Sequence, residues 1–216
     1  MRCLSNMANI MNTKRVSFGF DLRMSPATQR ENPRQLNQRL VSNLRSPVSA
    51  DSGVWPTTDE IESLSQGSLP DFSNPLHLAK NIDLLIDDCK EKQISVTGLW
   101  PICITGYETN LLYLVRRYGP GYFENRIEEE ELQSQGWQLR GFDVVDLDGL
   151  ISGLKGCGYG EPMWSQLRSH FGDSLNEMGL FTAPSVASQF AEVRGLEIRE
   201  HAPFIVVGVL TREPIR

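Results

Sequence analysis

The spacing of apolar and polar positions marks out a small number of elements along the chain. Val16 to Met24 reads as a strand with Phe18, Phe20 and Leu22 on one face. A polar helix is predicted over 31–44, where Leu36, Leu40 and Leu44 lie one turn apart, followed by a long Pro/Ser/Gly/Asp-rich loop over 46–75 with one short helix near 59–65. The strongest helix signal runs over 76–92: Asn74 caps, Pro75 occupies the first turn, and Leu78, Ile82, Leu85, Ile86 and Cys89 form the apolar stripe. Gly98 and Pro101 divide the apolar run 94–105 into two short strand pieces. Glu108 to Tyr118 reads as a helix with Leu111, Leu112 and Val115 inward, stopped by Gly119-Pro120-Gly121.

The second half begins with a strand over 137–147, its aromatic and β-branched residues giving way to a turn through Asp143, Asp146 and Asp148. Helices follow over 161–171, over an extra turn at 175–181, and from Pro184 to about Arg194, the last burying Val186, Phe190 and Val193. Phe204 to Leu210 is a continuous apolar run, as expected of a strand buried on both faces. Strands and helices do not alternate strictly and no internal repeat stands out. The expected fold is a single mixed α+β domain over 15–216, with a central, largely antiparallel sheet, several packed helices and a flexible leader over 1–14. Met7 and Met11 stand as alternative starts within that leader.

Composition fits an ordinary globular chain, with 40% hydrophobic and 22% charged residues among 216. No apolar run approaches the ~20 residues that cross a bilayer, and the N-terminus lacks the apolar core of a secretory signal, so the expected compartment is the cytoplasm. Cys3, Cys89, Cys103 and Cys157 are scattered, and His77, His170 and His201 have no helical pairing, so neither a metal site nor a disulfide framework is expected. No cofactor is implied.

Charge changes the picture more. The net charge of −6 conceals a basic first fifty residues, with eight basic against two acidic side chains, and an acidic remainder. The sharpest field lies over 122–148, where eight acids face Arg126 and Arg140. Such a field repels nucleic acid and attracts cationic surfaces. Glu128, Glu129, Glu130 and Glu131 also suit a helix start, where carboxylates meet the positive end of the dipole.

Four chemistries suggest themselves. Cys157, flanked by Gly156 and Gly158, has the access that a nucleophile requires, with His170 or His201 as base and Asp143 or Asp146 to orient it, although no catalytic-cysteine signature surrounds it. The glycines of 153–160 lack the spacing of a phosphate-binding loop. Asp143 and Asp146, three apart on a strand, point to opposite faces and do not form a cation site. The arginines of the basic N-terminal segment lack the interleaved aromatics of a single-strand RNA binder.

The residues Trp137, Gly141-Phe142-Asp143-Val144, Asp146, Ser152-Gly153-Leu154 and Cys157-Gly158-Tyr159 give a pattern that resembles immunity proteins of bacterial polymorphic-toxin systems, contact-dependent growth inhibition among them. Phe18-Gly19-Phe20-Asp21 and the ending from Glu200 to Gly208 look like parts of the same pattern. The resemblance implies a cytoplasmic, non-enzymatic inhibitor that binds one cognate toxin domain, often a basic nuclease, and covers its active site. It carries over no binding residues. The charge pattern places the toxin-facing edge at Glu128 to Glu131, Asp146 and Asp148, beside Tyr122 and Phe123. Trp137 reads as core.

Overall fold

A computed structural model of the chain describes residues 14–24, 78–91, 93, 95–118, 126–147, 166, 169–176, 178 and 180–216. The expected leader, the helix over 31–44, the loop over 46–75 and the stretch 148–165 lie outside the described residues, apart from Lys14. The fold is α+β. Four strands, β1 (Arg15–Met24), β2 (Leu99–Tyr107), β3 (Gln138–Asp146) and β4 (Phe204–Thr211), form one sheet in the order β1-β2-β4-β3. Every neighbouring pair is antiparallel. The helices are α1 (Ile82–Glu91), α2 (Glu108–Tyr118), α3 (Glu129–Ser134) and α4 (Pro184–Glu197). Among the described residues no helix is long and apolar enough to cross a membrane.

The two central strands are buried along almost their whole length, so their apolar side chains need cover on both faces. On one face Ile102, Ile104, Val207 and Val209 pack under Leu111 and Leu114 of α2. On the other, two clusters lie side by side. Phe142, Val144 and Val206 meet Ala187 and Phe190 of α4, while Phe20, Leu22, Cys103 and Leu210 meet Ile82 of α1, Leu132 of α3 and Trp137.

The outer strands carry the same device twice. In β1 an extra residue at Phe18 shifts the register between Ser17 and Gly19, and in β3 an extra residue at Arg140 shifts it between Leu139 and Gly141. Each bulge glycine has positive φ, 156° at Gly19 and 151° at Gly141, and a leucine lies against each: a Cβ would sit 2.6 Å from Leu78 Cβ or 2.8 Å from Leu180 Cβ. The next residue then bridges to an extended segment. Phe20 exchanges two backbone hydrogen bonds with Ala79 (2.9 and 2.7 Å), and Phe142 exchanges two with Phe181 (2.9 and 2.8 Å). A buried aspartate follows, Asp21 or Asp143, whose Oδ1 accepts the next backbone N–H at 2.7 Å. In both halves a helix begins three residues after the bridging residue. The repeat that the sequence does not display openly is therefore Gly-Phe-Asp at 19–21 and 141–143.

The first bulge also corrects the expected face of β1. It turns Phe18 toward Ile102 and Ile104, opposite to Phe20 and Leu22, which pack with Cys103 and Leu210. The α1 helix starts six residues later than the 76–92 pattern predicts. Asn81, not Asn74, caps it, its Oδ1 accepting the N–H groups of Asp83 (2.8 Å) and Leu84 (3.3 Å), because Leu78 and Ala79 are held extended by β1. Pro101 does not split β2. Its carbonyl faces the end of β4, accepting Arg212 N–H at 3.2 Å, so its missing N–H falls where that ladder ends and the β1 ladder is untouched. In α2, Leu114 takes the core place expected of Leu112, which is half exposed. The turn of helix expected over 175–181 is replaced by a Leu175–Phe181 bridge, with Asn176 Oδ1 accepting the N–H groups of Met178 and Leu180 and Nδ2 donating to the Arg140 carbonyl.

Alanine at Gly141 brings left-handed strain and contact with both the Leu180 side chain and the Phe181 carbonyl. Gly141→Ala is expected to destabilise the fold by about 2–5 kcal/mol in denaturant unfolding, with Gly98→Ala, where open space surrounds the position, costing clearly less.

Candidate functional site

The acidic run builds a short helix for a local reason. Glu128 is extended and bridges Val16 of β1, and Leu132 is fully buried, so α3 is held against the edge of the sheet by one apolar anchor and one β-contact. The four glutamates then divide by direction. Glu128 pairs with Lys14 and stays about half exposed. Glu129 points inward, where its Oε2 accepts Arg15 Nε at 2.7 Å and the Thr105 hydroxyl. Glu130 and Glu131 point to solvent, Glu131 accepting a hydrogen bond from Gln135 Nε2 at 3.2 Å.

The Arg15–Glu129 pair lies between the two clusters on that face of the sheet, with both side chains more than four-fifths buried. Arg15 Nη2 also donates to the carbonyl and the hydroxyl of Thr105, both at 3.2 Å, and the guanidinium lies 5.2 Å from the ring centres of both Tyr107 and Phe142. Gly208 leaves the necessary room, since a Cβ there would collide with Arg15 Nη2. Close by, burial pushes the Cys103 thiol well above its ordinary pKa; the charge of Glu129 adds to the rise and that of Arg212 opposes it. The thiol therefore stays protonated and inert in the folded chain.

At the far end of β3, Asp146 is buried, and His201 Nδ1 lies 3.9 Å from its Oδ2, an ion-pair distance too long for a hydrogen bond. The guanidinium of buried Arg194 lies 5.7 Å from the ring centre of Phe204, the cross-strand neighbour of Asp146. Glu129 reaches Gly208, four residues along β4 from Phe204, so the two acidic positions stand on the order of 13 Å apart. Asp143 is buried on the opposite face of β3 from Asp146, as the strand period requires. His170 is exposed and packs edge-on against Phe171, away from any carboxylate contact among the described residues.

The expected toxin-facing set is thus only partly a surface. Glu130 and Glu131 present their carboxylates outward and Glu128 does so in part, whereas Glu129 and Asp146 are turned into the fold. Tyr122, Phe123, Asp148 and Cys157 lie outside the described residues. Trp137 is core, as its apolar strand suggested, but one feature beside it has no forerunner in the sequence reading. A cleft of about 360 Å³ opens where β1, α1 and α3 meet, lined by Phe20, Ile82 and Trp137 and by the cationic Lys80, Arg126 and Arg212. Its residues come from four separated stretches of chain, at Phe20, 80–83, 126–137 and Arg212, which is why no motif announces it. Among the described residues no group of three or more His, Cys, Asp or Glu is placed to hold a metal.

Compared with known proteins, the chain matches no family model, no curated protein and no solved structure.

Removing Glu129 leaves the buried Arg15 guanidinium without its counter-charge. Glu129→Ala is expected to cost about 3 kcal/mol, seen as a melting point lowered by roughly 6–12 °C, with Arg15→Met combined with Glu129→Leu costing less than the sum of the single changes. The raised Cys103 thiol gives a pH signature of defined sign. Its contribution is full below the thiol's unfolded pKa of about 8.5 and is lost as pH rises above it, so Cys103→Val should flatten the alkaline fall of stability.

Proposed function

We propose that this protein is an immunity protein: a cytoplasmic, non-enzymatic inhibitor that binds one cognate toxin domain, with the outer face of α3 as part of the contact. The observation that carries this reading is the orientation of the acidic run. Glu130 and Glu131 stand outward from a helix that is fixed to the sheet by Leu132 and by the Arg15–Glu129 pair. A fixed array of carboxylates is what electrostatic steering of a basic partner requires, since charges already in place lose little freedom on binding. The acidic balance of 122–148 extends the same field, and the resemblance of the 137–159 pattern to immunity proteins agrees with it. A toxin with a basic substrate groove, such as a nuclease, is the partner that this charge suits.

Co-expression with a toxin domain encoded immediately upstream tests the function directly, with cell survival as the readout. For the interface, Glu130→Lys combined with Glu131→Lys should weaken toxin binding at least tenfold at low salt and flatten its salt dependence, while the same reversal at exposed Glu197 on α4 changes little. Unchanged affinity and an unchanged salt slope would remove α3 from the interface.

A second reading rests on the His201–Asp146 approach, which has the makings of an oriented imidazole for a Cys157 nucleophile. Cys157→Ala separates the two. The inhibitor retains protection, whereas an enzyme loses its activity with its fold intact.

A further inference from the structure

The cleft where β1, α1 and α3 meet has a floor and a rim of different character. Phe20, Ile82, Leu132 and Trp137 form the floor, all of them buried, with the Phe20 and Trp137 ring centres 5.4 Å apart. These side chains belong to the core and fix the shape of the depression, so contacts to a ligand fall to the rim. The rim is polar and reaches solvent: Lys80, Asn81 and Asp83 from the start of α1, Arg126 and Gln135 from either side of α3, and Arg212 from the end of β4.

The charge of this rim is positive. Three cations stand against one carboxylate, in a chain whose net charge is −6. Glu108 holds Arg126 Nη1 at 3.1 Å, but among the described residues Lys80 and Arg212 meet no carboxylate at ion-pair distance. Arg212 is nevertheless fixed, its N–H donating to the Pro101 carbonyl at 3.2 Å and its guanidinium lying 4.7 Å from the ring centre of Trp137. A ring orients a guanidinium without neutralising it and leaves N–H donors at its edge for an anion. Lys80 follows Ala79, whose backbone is hydrogen-bonded twice to Phe20, so its point of attachment is fixed as well. Asn81 Oδ1 already accepts the N–H groups of Asp83 and Leu84, so an anion here is held by side chains and not by the end of α1.

Cations converging from three separate stretches suit a group with several anionic oxygens, which a phosphate monoester has and a single carboxylate lacks. The volume of about 360 Å³ lies in the lower range of small-molecule sites and leaves room beyond the phosphate itself. Asp83 would repel an anion, yet its carboxylate, like the amides of Asn81 and Gln135, is a ready partner for hydroxyl groups. We infer that this cleft binds a small hydroxyl-bearing phosphate monoester, with Lys80, Arg126 and Arg212 on the phosphate and Asp83 and the two amides on the hydroxyls.

The inference does not depend on the toxin-binding proposal, and its test uses the full chain without any toxin. Glucose 6-phosphate serves as probe in titration calorimetry at low salt, with glucose, inorganic phosphate and glucuronate as controls for the hydroxyls, the phosphate and a single carboxylate. Saturable binding of glucose 6-phosphate is expected, about tenfold or more tighter than any control and weakening with added salt. Lys80→Glu and Arg212→Gln should each weaken it about fivefold or more with the thermal melt still cooperative, while Arg116→Glu on the exposed side of α2 changes it little. Asp83→Ala should narrow the gap between glucose 6-phosphate and inorganic phosphate. If Arg212→Gln loses its cooperative melt, Lys80→Glu, at an exposed position, decides the matter. Absence of saturable binding, equal binding of glucuronate or inorganic phosphate, or an affinity untouched by the charge variants would overturn the assignment.

Discussion

Burial of β2 and β4 on both faces is the constraint from which the rest of the structure follows. Two central strands with apolar residues along both faces need cover on both sides, and α2 together with three other helices must supply it. The outer strands help by bending. At Gly19 and Gly141 an added residue kinks the strand, a leucine fits over the glycine, and the following residue takes a new extended partner. The sheet thereby gains cover from segments that are neither helix nor strand in their own right. Gly-Phe-Asp serves this in three steps: glycine for positive φ and close approach, phenylalanine for the opposite face, aspartate to accept the next backbone N–H.

Arg15, Glu129 and Thr105 hydrogen-bond one another over Gly208 and fasten α3 to the sheet, with Arg15 Nη1 left outside the network. Their role is to fix an orientation. With Glu129 drawn in, the next two glutamates are turned outward, so the internal ion pair and the exposed acidic face have one cause. A buried ion pair contributes less to stability than its Coulomb attraction suggests, because desolvation opposes it, but it defines where the helix must lie. That fits an element whose proposed task is to present charge to a partner. The cationic cleft on the other side of α3 and the acids on its outer face give this short helix two neighbours of opposite sign.

The sequence by itself determined the strands and helices whose periodicity is strong and uninterrupted. β1, β3 and β4 fall within one residue of their expected limits, α2 on its expected span, α4 at its expected start, and Trp137 in the core. These are local matters of side-chain period, turn residues and propensity, so they can be read locally. Tertiary structure alone decided the rest. An unpaired residue in a bulge moved Phe18 to the other face, which no period-two pattern anticipates. An extended pairing with β1 delayed α1 and gave its cap to Asn81. The end of the β4 ladder made Pro101 harmless inside a strand. The four adjacent glutamates share one local pattern, yet only the position of Arg15, 114 residues away, sets Glu129 apart from its neighbours. The cleft belongs to the same class, since a cavity is shaped by what four distant stretches leave unfilled, and unfilled space has no residue to mark it in a sequence.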